Sequence, residues 1–149
     1  MIAQENKKPP SAAGSGRAEE VGHAAWQWLL LAKVADPHQI RPDLMTWRRG
    51  SAQMALRVNG ELNNLSIYSA IVSGVQPNET LFRYLLAYNS LQRLESLGLL
   101  ERAGRWYVVL KYTMELELAS QEAIQRHVFY LQERADALDT ELAERFGGS

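Results

Sequence analysis

The chain has three imidazoles, His23, His38 and His127, and none lies at the His-Glu-x-x-His spacing that builds a hydrolytic metal site. His127 falls one position before the apolar line of the last helical pattern, where an ordinary structural hydrogen bond is the expected role. The acids are dispersed. Glu115 and Glu117 flank a strand end, and Glu133, Asp136 and Asp139 share a helix face, which reads as solvated surface rather than paired general acid and base. No Gly-x-Ser-x-Gly elbow, phosphate loop or dinucleotide fingerprint occurs. The absence of cysteine excludes disulfides, thiolate catalysis and cysteine-based zinc sites together. An enzyme would need a pocket with at least two convergent polar groups of perturbed pKa, and no residues here nominate them. The sequence implies no cofactor and points to binding.

The elements follow from periodicity. An amphipathic helix is expected from about Ala18 to Ala35, with Val21, Ala25, Trp28, Leu29 and Ala32 inward, stopped by Asp36-Pro37. Residues 40 to 44, which include Pro42, read as a linker. Three antiparallel strands come next. The first is Met45 to Arg48, turned by Arg49-Gly50-Ser51; the second carries Met54, Leu56 and Val58; the third carries Leu65, Ile67 and Ile71 after an Asn59-Gly60 hairpin signal. Asn78 caps a second helix with Glu79 in its first turn. Leu81, Leu85, Tyr88 and Leu91 line one side of it, widened by Phe82, Leu86 and Leu94, and Gly98 is its expected end. Leu99-Leu100 and Trp106 to Met114 form a hairpin around Ala103-Gly104. The closing helix starts at Ser120 and buries Ile124, Val128, Leu131, Ala135, Leu138 and Leu142.

The reading is therefore α+β, in the order α-βββ-α-ββ-α, with an antiparallel sheet packed by helices. Residues 1–17 contain little that could be buried and are expected to be a disordered tail; residues 18–146 form one domain, and residues 147–149 a flexible tip. Composition agrees, with 46% hydrophobic and 22% charged residues. A net charge of −1 argues against a general electrostatic grip on nucleic acid or anionic lipid. No segment approaches the roughly 18 apolar residues of a membrane span.

The strands carry apolar side chains on both sides. Tyr68, Ala70 and Val72 oppose Leu65, Ile67 and Ile71, and Tyr107 and Val109 oppose Val108 and Leu110. Helices over both faces, or a homodimer, would bury the excess. Alternatively, a groove or free sheet edge accepts a peptide of a client protein. On that reading Trp47, Tyr68, Val72, Trp106, Tyr107 and Val109 are the candidate client-binding residues, with Trp26 and Trp28 serving either the core or the same surface and Arg48-Arg49 at the rim.

The element order, with Leu81-Phe82-Arg83-Tyr84-Leu85-Leu86-Ala87-Tyr88-Asn89 followed by a hairpin and a long helix, resembles the type III secretion chaperone-like superfamily, including its YbjN branch. The resemblance spans about Ala18 to Phe146. It implies a small cytoplasmic chaperone or assembly adaptor that binds peptides and is often dimeric, without cofactor or catalysis. Clients in that group include secretion effectors and, in cyanobacteria, carboxysome shell proteins. A competing reading takes Leu91 to Tyr107 as the recognition helix and wing of a winged helix-turn-helix DNA-binding regulator, with Arg83, Gln92, Arg93, Arg102 and Arg105 as its basic and amide contacts.

Overall fold

A computed structural model describes the backbone of residues 2–91 and 94–147 and the side chains of residues 16–91 and 94–147. Helix α1 (Ile2–Leu31) precedes strands β1 (Ala35–Arg41), β2 (Leu44–Arg49), β3 (Ala52–Asn59) and β4 (Asn64–Ser73). Helix α2 (Glu79–Leu91), strands β5 (Ser96–Arg102) and β6 (Arg105–Glu115), a 3₁₀ turn and helix α3 (Gln121–Phe146) complete the chain. The six strands form one antiparallel sheet in the order β1-β2-β3-β4-β6-β5. The α+β class stands. The tail expected over residues 1–17 falls mostly on residues whose side chains lie outside the described ones, as do Gln92, Arg93 and the last two residues of the tip.

Local chemistry explains the element ends. Ser120 Oγ accepts the Ala123 N–H at 3.1 Å, and Asn78 Oδ1 accepts the Leu81 N–H at 2.9 Å, so both expected caps form. Gly50 alone takes positive φ in the two-residue β2–β3 turn, as a type II′ hairpin requires, whereas Ala103 and Gly104 both do so between β5 and β6, as type I′ requires. The Asn59-Gly60 turn differs from its expectation. It is a four-residue loop with positive φ at Asn63, held by the Leu62 N–H on Asn59 Oδ1 at 3.1 Å.

Two boundaries are corrected. Helix α1 ends at Leu31, and Asp36-Pro37 lies inside β1 together with the first residues of the expected linker, so four strands precede α2. Proline is tolerated there because β1 is an edge strand, and its register breaks on both sides of His38-Gln39. Helix α2 ends at Leu91 rather than Gly98, which sits in β5. The cause is Asn89, whose carboxamide pairs with both backbone groups of Leu97, accepting its N–H at 2.7 Å and donating to its carbonyl at 2.9 Å. One side chain thus ties the strand back against the helix.

All three helices contribute to a single core on one face of the sheet. Val21, Ala25 and Leu29 of α1, Leu81, Leu85 and Tyr88 of α2, and Ile124, Val128, Leu131, Ala135, Leu138 and Leu142 of α3 pack against Met45, Met54, Leu56, Leu65, Ile67, Val108 and Leu110. Trp28 is only partly buried and Ala32 is exposed, because α1 has already ended. Leu91, Phe82, Leu86 and Leu94 stay exposed as well. Gly22 is required where α1 crosses the β1–β2 turn, since an added Cβ would meet the Pro42 carbonyl oxygen at 2.6 Å. Among the described residues no helix covers the opposite face of the sheet, so coverage of both faces is not what disposes of its apolar side chains.

Candidate functional site

Strand alternation decides which side chains reach the open face. Across it run the rows Thr46, Ala55, Tyr68, Lys111 and Ser96; Leu44, Arg57, Ser66 and Thr113; and Ala70, Val109 and Gly98. A groove of about 540 Å³ occupies this face between β3 and β5. Tyr68 and Val109 line it beside Leu62 and Leu100, with Arg57 and Lys111 as its cations and Asn59, Asn64, Ser66, Ser96 and Thr113 as its neutral polar groups. Gly98 opens it further, because a Cβ there would meet nothing within 4 Å. The lining holds no carboxylate and no imidazole, so it offers no ordinary general base. The groove borders an edge strand. Asn89 occupies the outward backbone groups of Leu97, and by alternation those of Leu99 and Glu101 also point away from β6.

The six candidate contact residues separate. Tyr68, Tyr107 and Val109 lie on the open face, and the first and third of these share the groove. Trp47 does not reach a surface: it is fully buried against the helices and its indole N–H donates to Gln132 Oε1 at 2.7 Å. Val72 is buried too. A bulge at Ile71 shifts the β4 register, so Val72 pairs with Val108 on the helix side instead of continuing the row of Tyr68 and Ala70. Trp106 is partly buried on that same helix side, opposite Glu101. Trp26 and Trp28 also pack against the core. Of the two rim arginines, Arg49 pairs with Glu133 of α3, whereas Arg48 donates to Gln53 Oε1 at 3.2 Å. His127 stacks on Tyr112 at 4.3 Å between ring centroids, and burial, then the Arg126 charge, lowers its pKa.

A polar cluster around a buried carboxylate joins α2, Glu95 just before β5, and α3. The Glu95 carboxylate, 4% exposed, accepts from Tyr88 at 2.7 Å and from Tyr130 at 3.1 Å, while Arg134 Nη2 donates to the Tyr88 oxygen at 2.8 Å. Arg134 Nε lies 3.4 Å from Glu95, close enough for Coulomb attraction but not aligned as a hydrogen bond. Burial pushes the Tyr88 phenol well above its usual range, and Tyr130 shifts the same way. None of the four residues lines the open-face groove. The cluster is a clamp between elements. Its two halves, Tyr88 with Glu95 and Tyr130 with Arg134, are separated by 35 positions between Glu95 and Tyr130, and no local pattern marks their meeting.

The winged-helix reading needs a recognition helix running through residues 91–97, and β5 begins at Ser96 instead. No family model and no curated protein matches the chain. Solved structures do. The ExsC–ExsE complex matches with a TM-score of 0.66 at 14% identity, over 83% of this chain and 93% of that one. The HopA1–SchA chaperone–effector complex matches at 0.58 and 12%, over 74% and 86%, and YbjN from E. coli at 0.57 and 13%, over 79% and 87%. At these identities the likeness is one of fold: the chain shares the fold of these three structures.

Proposed function

We propose that this protein is a non-catalytic chaperone or assembly adaptor that holds an extended peptide segment of a client protein. The observation that carries the reading is the open-face groove, with a tyrosine and aliphatic lining beside an edge strand whose outward backbone groups at Leu99 and Glu101 suit strand addition. The likeness to a chaperone–effector complex supports it. Tyr68, Tyr107 and Val109 are the contact residues on this reading, while Trp47 and Val72 serve the core. A photo-crosslinking residue in place of Val109 is expected to trap a client from native lysate. The same residue in place of Glu122, on the exposed start of α3, is expected not to. Equal trapping at both positions would defeat the assignment.

The reading includes a homodimer and a cytoplasmic setting. Phe82, Leu86 and Leu91 on α2 and the adjacent Leu94 are 44%, 70%, 79% and 47% exposed, a cluster that monomers seldom leave to water. Among the described residues no helix is long and apolar enough to cross a membrane. Sedimentation equilibrium is expected to give a dimer mass that Leu86→Glu reduces to the monomer's. A monomer before substitution would remove this part of the proposal. Secretion effectors and carboxysome shell proteins remain the client classes that the fold group suggests.

A further inference from the structure

Charge is sorted by face in this sheet. Strands β2 to β6 contain six basic residues, Arg48, Arg49, Arg57, Arg102, Arg105 and Lys111. Arg49 alone points to the helices, where Glu133 pairs with it. By register the other five stand on the open face, all exposed, and among the described residues none has a carboxylate within ion-pair distance. Against them these strands set two acids, Glu101 on the helix side and Glu115, which by the same register stands on the open face at the far end of β6, in the row of Asn59 and Asn64, so that face carries five cations and one acid. The opposite side of the molecule is acidic, since α3 carries Glu122, Glu133, Asp136, Asp139, Glu141 and Glu144 against three arginines. A net charge of −1 conceals this separation.

Resting on the reading of the groove as a client site, we propose that its occupant is an acidic extended peptide, with carboxylates interspersed among apolar side chains. Lys111 rises from the groove between Tyr68 and Ser96, and Arg57 stands two strands across on β3 and two residues along, about 12 Å distant at ordinary strand spacing and rise. Tyr68, Val109, Leu62 and Leu100 supply the apolar contacts between these cations. Two cations set in a largely aliphatic and hydroxyl lining suit isolated carboxylates. They do not form the continuous basic track that a nucleic-acid backbone needs. Complementary charge of this kind selects partners and speeds encounter more than it adds affinity.

The test is fluorescence anisotropy on the full chain with three equally labelled decapeptides that alternate leucine with glutamate, glutamine or lysine, alongside a single-stranded RNA decamer. The glutamate peptide is expected to bind tightest and to weaken as salt rises from 50 to 500 mM. Arg57→Gln and Lys111→Gln should each weaken it about threefold to fivefold, the upper end for an exposed ion pair, and weaken the glutamine peptide by less than they weaken the glutamate peptide. Both sites are exposed, and unaltered circular dichroism would confirm that the variants fold. Equal binding of all three peptides, abolished by Val109→Glu, would keep the groove and overturn its charge selection. Binding that ignores Val109→Glu, or no peptide binding at all, would overturn the groove itself. Tighter binding of RNA than of the glutamate peptide would overturn the inference in favour of a nucleic acid.

Discussion

Trp47 shows how far a residue's type alone can carry a functional reading. A tryptophan at a strand end near two arginines has the composition of a contact residue, yet its place in the fold depends on Gln132, 85 positions away. Such long-range pairing leaves no local signal. Trp47→Phe keeps most of the apolar volume but strands the buried Gln132 carboxamide, so we expect a loss of about 1–3 kcal/mol in urea unfolding with unchanged peptide affinity. His127 was legible only in part: its position beside the core line of α3 anticipates a partly buried ring, but the contact is the Tyr112 ring rather than the expected hydrogen bond. Burial holds its folded pKa below the unfolded value of about 6.5, so the native state binds fewer protons between the two. The associated stability is full above about pH 6.5 and lost as pH falls through the folded pKa. His127→Phe retains the ring contact and cannot protonate. Its urea stability should therefore decline less than the parent's between pH 7 and pH 5, and equal declines would show that His127 does not couple to folding.

Elements announce themselves through caps, turns and periodicity, and most of those local rules hold, the Asn59-Gly60 turn being the exception. Ser120, Asn78, Gly50 and Gly104 act as their types favour, while Ala103 takes a left-handed φ that its Cβ disfavours and that the turn imposes. The other failures share a cause in tertiary pairing. Residues 90–98 have helical periodicity, but two hydrogen bonds from Asn89 to Leu97 favour a strand. Asp36-Pro37 reads as a helix stop followed by a linker, whereas pairing with β2 recruits it to the sheet. The bulge at Ile71 is equally invisible, and it reverses the side on which Val72 lies. The α3 stripe needed no such information. Leu131 and Leu138, 1% and 2% exposed, face the core as the spacing predicts. Truncating either to alanine should cost about 2–5 kcal/mol, read from denaturant midpoints at constant slope. A loss below 1 kcal/mol at both positions would mean that α3 is not essential to the core.

At the scale of the whole molecule, one face of the sheet holds the core and the other holds the charge. Composition reports only their sum, which is why net charge gave no hint of a cationic face. The one-sided arrangement also predicts how the protein unfolds. Residues from α1, α2, α3 and five of the six strands meet in a single cluster, so no element has a separate core to retain once the others leave. Urea unfolding should therefore be all-or-none, with coincident transitions by far-ultraviolet circular dichroism and by tryptophan fluorescence, to which the sealed Trp47 contributes. A dimer adds a second requirement. If the α2 surface pairs two chains and the monomer alone is less stable, the midpoint must rise with protein concentration, and Leu86→Glu must abolish that rise while leaving the two probes coincident. A fluorescence transition preceding the loss of helix would instead mark a sheet that separates from its helices, and the single core would then not be the unit that folds.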